Sequence, residues 1–496
     1  MVVVAALVLV GVVLRFWTTS DLWLDEALTV DIARQPLSQL HHLLLHDGAP
    51  PLFYVLLHWW MGWFGSSDLA VRSLPGLLSV ATMPFVWVAG RRLGGRMVAA
   101  AALVLVATSP FAVRYATETR MYSLVGLLAA AGIVALQRVL DRPRPGNLVA
   151  TGGCAALLLY SHYWAVYLVG VTGLWLAWRA WRGSPGQRRP ARAAFAAVAL
   201  GSLTFVPWLP TFVSQARHTG TPWAAHATFA DMVNAITSFA GGPTTQGRGL
   251  ALIYFALAGI GLFGAARGAR HIDLDLRTRR PARPMAVVVV GALAAAVVGG
   301  YVSGSTFQVR YAMVVFVPLA LLVALGTAAF ADRRVRAGVL AAAVIFGLAG
   351  SFPDVTTNRT QAGQVAATLA RLGHTGDVVA YCPDQLGPAV NRLLPRHRYR
   401  QVTFPRGTGP EFVDWVDYAR VVGAGNPSSF ARSLEAAAGT SHQIWLVWMW
   451  GYQTYGSKCA QIETDLLADP RFGAHEQFAP GPQFEPMELV RFAPAA

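Results

Sequence analysis

The chain reads as a succession of apolar blocks, rich in Ala, Val, Leu and Gly, separated by short breaks that carry arginine. Many blocks approach the ~20 residues that take a helix across a bilayer, and none shows the alternating ten-residue pattern of a transmembrane strand. The pattern predicts a polytopic α-helical membrane protein of about eleven spans. They fall near 1–16, 69–90, 97–110, 121–139, 147–161, 163–181, 193–213, 248–266, 284–303, 310–331 and 335–351. The opening block lacks the basic start and small-residue cleavage site of a signal peptide and is read as a retained span. The apolar stretch over 50–63 is left out of the count. It is short, rich in Trp and opens on a Pro pair suited to a first helical turn, and counting it would reverse the side of the next arginine loop. It reads as a helix lying in the membrane interface. The loop over 17–68 offers apolar residues at helical spacing between Ile32 and Leu45, which predicts one or two more interfacial helices.

From Ser351 onward the character changes to mixed polar sequence. Two domains are expected, a membrane domain over 1–351 and a soluble domain over 352–496. In the second, 377–381, 443–450 and 487–492 read as buried strands and 389–394 as helix, which predicts a small α/β fold. The loop over 214–247, with Trp223, His226, Phe229 and Asp231, reads as a connector or a lid.

Composition agrees with this division. The 496 residues are 54% hydrophobic and only 13% charged, against roughly 25% charged in an average soluble domain, and mean hydropathy is +0.44. The net charge of +15 comes from arginines spread between the spans, at 91–96, 138–144, 179–192, 267–280 and 333–336. That arrangement fits the positive-inside rule and not a nucleic-acid surface. It puts the N-terminus inside, and the 17–68 loop and the C-terminal domain outside, in a multi-pass plasma-membrane protein. No Walker, dinucleotide-glycine or zinc-ligand motif is found. Cys154 lies in an apolar span, whereas Cys382 and Cys459 fall in the polar domain, where an extracytoplasmic location would permit a disulfide.

On this topology the outer face collects most of the polar chemistry: Asp25 and Glu26, His46 and Asp47, Asp68 and Arg72, Arg114, Glu118 and Arg120, His162, and Arg310 with Tyr311. Carboxylates there can deprotonate an attacking hydroxyl, and arginines can hold a phosphate through forked hydrogen bonds. Arg310 runs against the positive-inside trend, which favours a phosphate-binding role.

The order Trp-Leu-Asp-Glu-Ala at 23–27, Asp47 before Pro50-Pro51-Leu52-Phe53-Tyr54, Ala70-Val71-Arg72-Ser73-Leu74-Pro75, and Ser109-Pro110-Phe111 leading to Arg114-Tyr115, Glu118 and Arg120-Met121-Tyr122 resembles the GT-C superfamily of membrane glycosyltransferases. Within it the chain is most similar to the bacterial family 39-like branch of protein O-mannosyltransferases and lipid A aminoarabinose transferases. The resemblance is strongest over 1–140, and Arg310-Tyr311 is similar to a late Arg-Tyr element of the group. It implies an inverting transfer of a sugar, mannose or arabinose, from a polyprenyl-phosphate donor to an envelope glycan, lipid or protein on the extracytoplasmic side. It also implies Asp25 as general base, with Glu26 orienting the acceptor or assisting it. Glu118, Arg114, Arg120, Arg310 and Tyr311 would hold the donor, and His46, Asp47, Arg72 and His162 would support the acceptor or the structure. A divalent metal is left open, with no other cofactor assigned and no nucleic-acid partner.

Plainer readings exist for the same residues. Asp25 could cap the helix that follows it, and Arg114 and Arg120 could simply pair with Glu118. A transporter or flippase of a lipid-linked envelope precursor is the alternative function, and a scaffold without activity is a third. Transport sites tend to lie within spans, and here the acids gather between them.

Overall fold

The structure is a computed structural model that describes residues 2–220, 227–268, 271–303 and 307–495. Trp223, His226 and Arg270 lie outside the described residues. The helices in chain order are α1 (Val2–Leu14), α2 (Leu24–Arg34), α3 (Leu37–Asp47), α4 (Leu52–Phe64), α5 (Asp68–Ala107), α6 (Pro110–Ala116), α7 (Tyr122–Asp141) and α8 (Pro145–Ser161). There follow α9 (Ala165–Arg182), α10 (Pro185–Leu203), α11 (Leu209–His218), α12 (Ala230–Phe239), α13 (Thr245–Phe263), α14 (Arg283–Ser303), α15 (Met313–Thr327) and α16 (Arg333–Thr356). Among the described residues seven helices are long and apolar enough to cross a membrane: α5, α7, α10 running on into α11, α13, α14, α15 with the turn before it, and α16. The remaining expected spans, on α1, α8 and α9, are also helical.

The longest helix is in fact a hairpin. Gly94 and Gly95 leave helical geometry, Gly95 at φ +79°, and a Cβ on Gly90 would lie 2.9 Å from the Ala99 Cα. In one straight helix those positions would be about 13 Å apart. The two expected spans, 69–90 and 97–110, are its arms. Small residues set the packing elsewhere too: a Cβ on Gly326 of α15 would lie 2.0 Å from the Leu257 carbonyl oxygen of α13. Close backbone approach of this kind drives helix association where lipid removes the hydrophobic drive. Arg15, fully buried, donates to the Gly11, Ala107 and Val106 carbonyls and to Ser79 Oγ, so one guanidinium ties the end of α1 to that of α5.

Helices α2, α3 and α4 fill the 17–68 loop, α4 beginning directly after the Pro pair. The helix expected over 248–266 stops at Phe263, and a short antiparallel pair, β1 (Gly264–Arg267) and β2 (His271–Leu274), occupies part of the arginine-rich stretch that reads as a plain loop.

After α16 comes a five-stranded sheet of order β4-β3-β5-β7-β6, from β3 (Val378–Cys382), β4 (Arg400–Thr403), β5 (Ile444–Trp448), β6 (Phe472–Phe478) and β7 (Glu488–Pro494). β3 lies parallel to β4 and β5, and β7 antiparallel to β5 and β6. Helices α17 (Ala362–Leu372), α18 (Gly387–Asn391), α19 (Tyr418–Ala424), α20 (Pro427–Ala438) and α21 (Lys458–Leu467) complete it. The helix expected over 389–394 ends three residues early. Asp377, expected inside a strand, precedes it instead: its carboxylate accepts from the amides of His374 and Gln443 and from the Trp445 indole. Cys382 and Cys459 are joined by a disulfide that links β3 to α21.

This domain sits against the α2–α4 end of the bundle. Arg392 donates to Asp68 Oδ1 at 2.8 and 3.1 Å, His46 meets Asp414 at 2.9 Å, and His218 meets Asp417 at 3.0 Å.

Candidate active site at the start of α2

Trp23, in extended conformation, is the N-cap of α2 and supplies no side-chain cap. Asp25 is therefore in the first turn and not a cap. The Leu24 amide at the helix start donates instead to Glu485 Oε1 of the C-terminal domain, at 3.0 Å. Phe484 packs edge-on against Trp23 with ring centres 5.0 Å apart.

The two adjacent acids point to different surroundings. Glu26 is fully buried. Arg72 donates to its two oxygens at 2.8 and 2.6 Å, the Thr119 amide donates at 2.9 Å, and Arg359 lies 3.9 Å away. Burial opposes its ionisation, but the Arg72 guanidinium, its hydrogen bonds and Arg359 outweigh that and hold the carboxyl below its ordinary value. Both oxygens are committed, so Glu26 is unavailable to orient an acceptor. With Arg72 it pins α2 to α5.

Asp25 faces cations with less enclosure, at 14% side-chain exposure. Its Oδ2 lies 3.2 Å from Arg310 Nη1 and 4.0 Å from Arg120 Nε. Arg120 also donates to Thr29 Oγ1 at 2.7 Å and to the Tyr54 hydroxyl at 3.3 Å. Tyr54 in turn donates to Asp47. Arg120 therefore joins Asp25 and leaves Glu118 to Arg114, at 3.5 Å. Burial pushes the Glu118 carboxyl up, against Arg114 and Arg359. Arg310 stands over the rings of Trp23 and Tyr311, each 5.7 Å from the guanidinium carbon.

His162 stacks between Tyr122 and Tyr311. Burial, with Arg120 and Arg310 nearby, pushes it down to about 3, so it is neutral. Asp25, Glu118, Arg120, Arg310, Tyr311, Asp47 and His162 thus form one neighbourhood. Arg72 and His46 serve the scaffold, His46 as a contact of the C-terminal domain.

Within that neighbourhood Trp23 Nε1, Glu118 Oε1, Thr119 Oγ1 and Tyr122 Oη are buried with no hydrogen-bond partner in the protein, and Asp25 Oδ2 and Arg120 Nε are buried with only their ion pairs. Buried polar atoms normally find partners, so a concentration of unpartnered ones makes this neighbourhood the candidate ligand site. Among the described residues no three His, Cys, Asp or Glu side chains converge to hold a metal ion.

Sequence reasoning missed Glu485 and Arg359. Burial pushes Glu485 up to about 8, against the hydrogen bonds from Thr360 and Leu24. Arg359 donates to the Thr117 carbonyl at 2.8 Å and hydroxyl at 2.6 Å. Neither belongs to a motif: Glu485 reaches the start of α2 only through docking of the C-terminal domain, and Arg359 reaches Glu26 and Thr117 from the segment after α16.

Residues 48–210 match the family described as dolichyl-phosphate-mannose-protein mannosyltransferase. No curated protein sequence matches the chain. Among solved structures the fold is similar to ArnT from Cupriavidus metallidurans in the apo state (TM-score 0.60, 14% identity, 99% of this chain and 97% of that one). The same protein bound to undecaprenyl phosphate gives a TM-score of 0.57 at 14% identity, over 99% of this chain and 97% of that one. The apo oligosaccharyltransferase of Archaeoglobus fulgidus gives a TM-score of 0.57 at 10% identity, over 95% of this chain and 73% of that one. At these identities the likeness establishes the fold, one shared with ArnT and the archaeal oligosaccharyltransferase, and the family match covers residues 48–210.

Proposed function

We propose that the protein transfers a sugar from a polyprenyl-phosphate donor to a hydroxyl of an envelope glycan, lipid or protein on the extracytoplasmic side, with inversion. The observation that carries this reading is the convergence of Arg120 and Arg310 on Asp25 at the start of α2, 3.2 Å separating Arg310 from the carboxylate. Arginine forks suit a phosphate, and a neighbouring carboxylate suits a base. Support also comes from the C. metallidurans neighbour, whose structure holds undecaprenyl phosphate.

In the reaction Asp25 takes the proton of the acceptor hydroxyl. The acceptor oxygen bonds to the anomeric carbon as the bond from that carbon to the phosphate oxygen breaks. The electron pair leaves with the polyprenyl phosphate, whose added charge Arg120 and Arg310 neutralise. Glu118 Oε1 and Tyr122 Oη offer hydrogen bonds to the sugar. Mannose and arabinose are the donors to test first. The transporter alternative is disfavoured because Asp25, Arg120 and Arg310 all sit at helix starts or just before them and not at mid-span.

The test is transfer of radiolabel from polyprenyl-phosphate mannose and arabinose by purified protein. Asp25→Asn should lower the rate at least about 100-fold, the scale of general-base catalysis. Normal transfer by this variant would remove Asp25 as the base, and lipid translocation without transfer would favour the transporter.

A further inference from the structure

A second polar site lies farther along α2. A groove of about 630 Å³ runs between the C-terminal half of that helix and the C-terminal domain, and its lining includes Asp31, Arg34, Arg392, Arg396, His397 and Glu411. Two of its guanidiniums are drawn to one residue: Arg34 donates to Ser66 Oγ at 2.7 Å, and Arg392 donates to the Ser66 carbonyl. Arg396 is near enough for its charge to act on Arg34 along with that of Arg392. Like charges gathered this closely need an anion to offset them.

The acids present do so only in part. Asp31 Oδ1 lies 3.5 Å from Arg34 Nη1, and Asp68 takes two hydrogen bonds from Arg392. Arg392, its side chain only 9% exposed, retains a buried Nη1 with no hydrogen-bond partner, and Asp31 Oδ2 is likewise buried and unpartnered. Burial, with the charge of Glu411, pushes the Asp31 carboxyl up to about 7, against Arg34 and Arg392. The unpartnered Arg392 nitrogen, the guanidiniums of Arg34 and Arg396 and the Asp31 carboxyl, all on residues lining one groove, match the oxygens of a phosphate or a carboxylate.

We infer that this groove binds an anionic group, phosphate or carboxylate, carried by the acceptor. Nine residues of helix separate Asp25 from Arg34, so the anion would sit about 13 Å along α2 from the base. The inference rests on the transferase reading for the word acceptor, but the binding itself does not.

The test is calorimetric titration of the full-length protein in neutral detergent with inorganic phosphate and, separately, with glucuronate. Arg396, exposed at the groove rim, can be changed without disturbing the core. At least one anion should bind the wild type, and Arg396→Gln and Arg34→Gln should each weaken it tenfold or more, with Arg396→Lys restoring part of the loss and Asp25→Asn leaving it in place. A response to phosphate alone assigns a phosphorylated acceptor, and one to glucuronate alone a uronic acid. Affinities unchanged in both arginine variants, or no binding of either anion by the wild type, would overturn the inference. Intact anion binding without sugar transfer from any polyprenyl-phosphate donor would instead remove the transferase reading and leave the groove standing.

Discussion

Glu26→Gln separates a structural from a chemical role for the acid beside Asp25. The substitution keeps the shape of the side chain and an oxygen for the Thr119 amide, but removes the charge that faces Arg72 across 2.6 and 2.8 Å. Arg72 is itself only 5% exposed. Its remaining partners, the carbonyls of Ser20 and Asp21, carry dipoles and no full charge. Leaving one member of a buried pair uncompensated costs about 3–5 kcal/mol, so the variant should unfold several degrees below the wild type in detergent. Converting both partners, as in Glu26→Gln with Arg72→Met, should recover much of that loss, because the pair's own net contribution is small after desolvation. The pH dependence follows from the depressed carboxyl. Its stabilisation is complete above the ordinary value of 4.5 and is lost as pH falls through the lower folded value. The gap between wild type and variant should therefore be constant above about pH 5 and close in acid. A Glu26→Gln protein that melts with the wild type yet fails to transfer sugar would refute this assignment and return Glu26 to the chemistry.

Glu485→Gln keeps an acceptor for the Leu24 amide but cannot ionise. Because burial raises this carboxyl to about 8, the wild type should lose stability as pH rises from 4.5 through 8 and the variant should not, as thermal melts across that range would show. Gly326→Ala should force α13 and α15 apart, with a loss of about 1–3 kcal/mol typical of overpacking, read as a lower unfolding temperature. Asp68→Ala removes the carboxylate that Arg392 grips, and limited proteolysis should then cut the C-terminal domain free sooner than in the wild type.

The helices were legible because a span must satisfy its own backbone and so announces itself as a long apolar block. The helix after Pro50-Pro51 was legible from the apolar run behind a proline pair suited to a first turn. The sheet was only half visible. β3 and β5 are central and continuously apolar, whereas β4 and β6 are edge strands, one beginning Arg400-Gln401 and the other carrying His475 and Glu476; edge strands tolerate such residues and lose the buried pattern. At the site, the resemblance assigned Asp25 and Glu26 different roles, but the residues alone did not show their different surroundings. The difference lies in which way each side chain leaves the first turn of α2, toward Arg310 or toward Arg72. Glu485 and Arg392 were invisible for a plainer reason, since only tertiary docking brings them near α2.

The hydrogen bond between the Leu24 amide and Glu485 spans 461 positions of sequence, and it bears on when the surroundings of Asp25 are completed. The membrane helices and Asp25 are synthesised early, yet the start of α2 gains its partner only after the last strands of the C-terminal domain are made and folded onto the bundle. Until then α2 is held to the bundle by Glu26 and Arg72, with its first amide still lacking the Glu485 carboxylate. Docking of the domain thus completes the surroundings of Asp25 late, after the helices that carry it have been made.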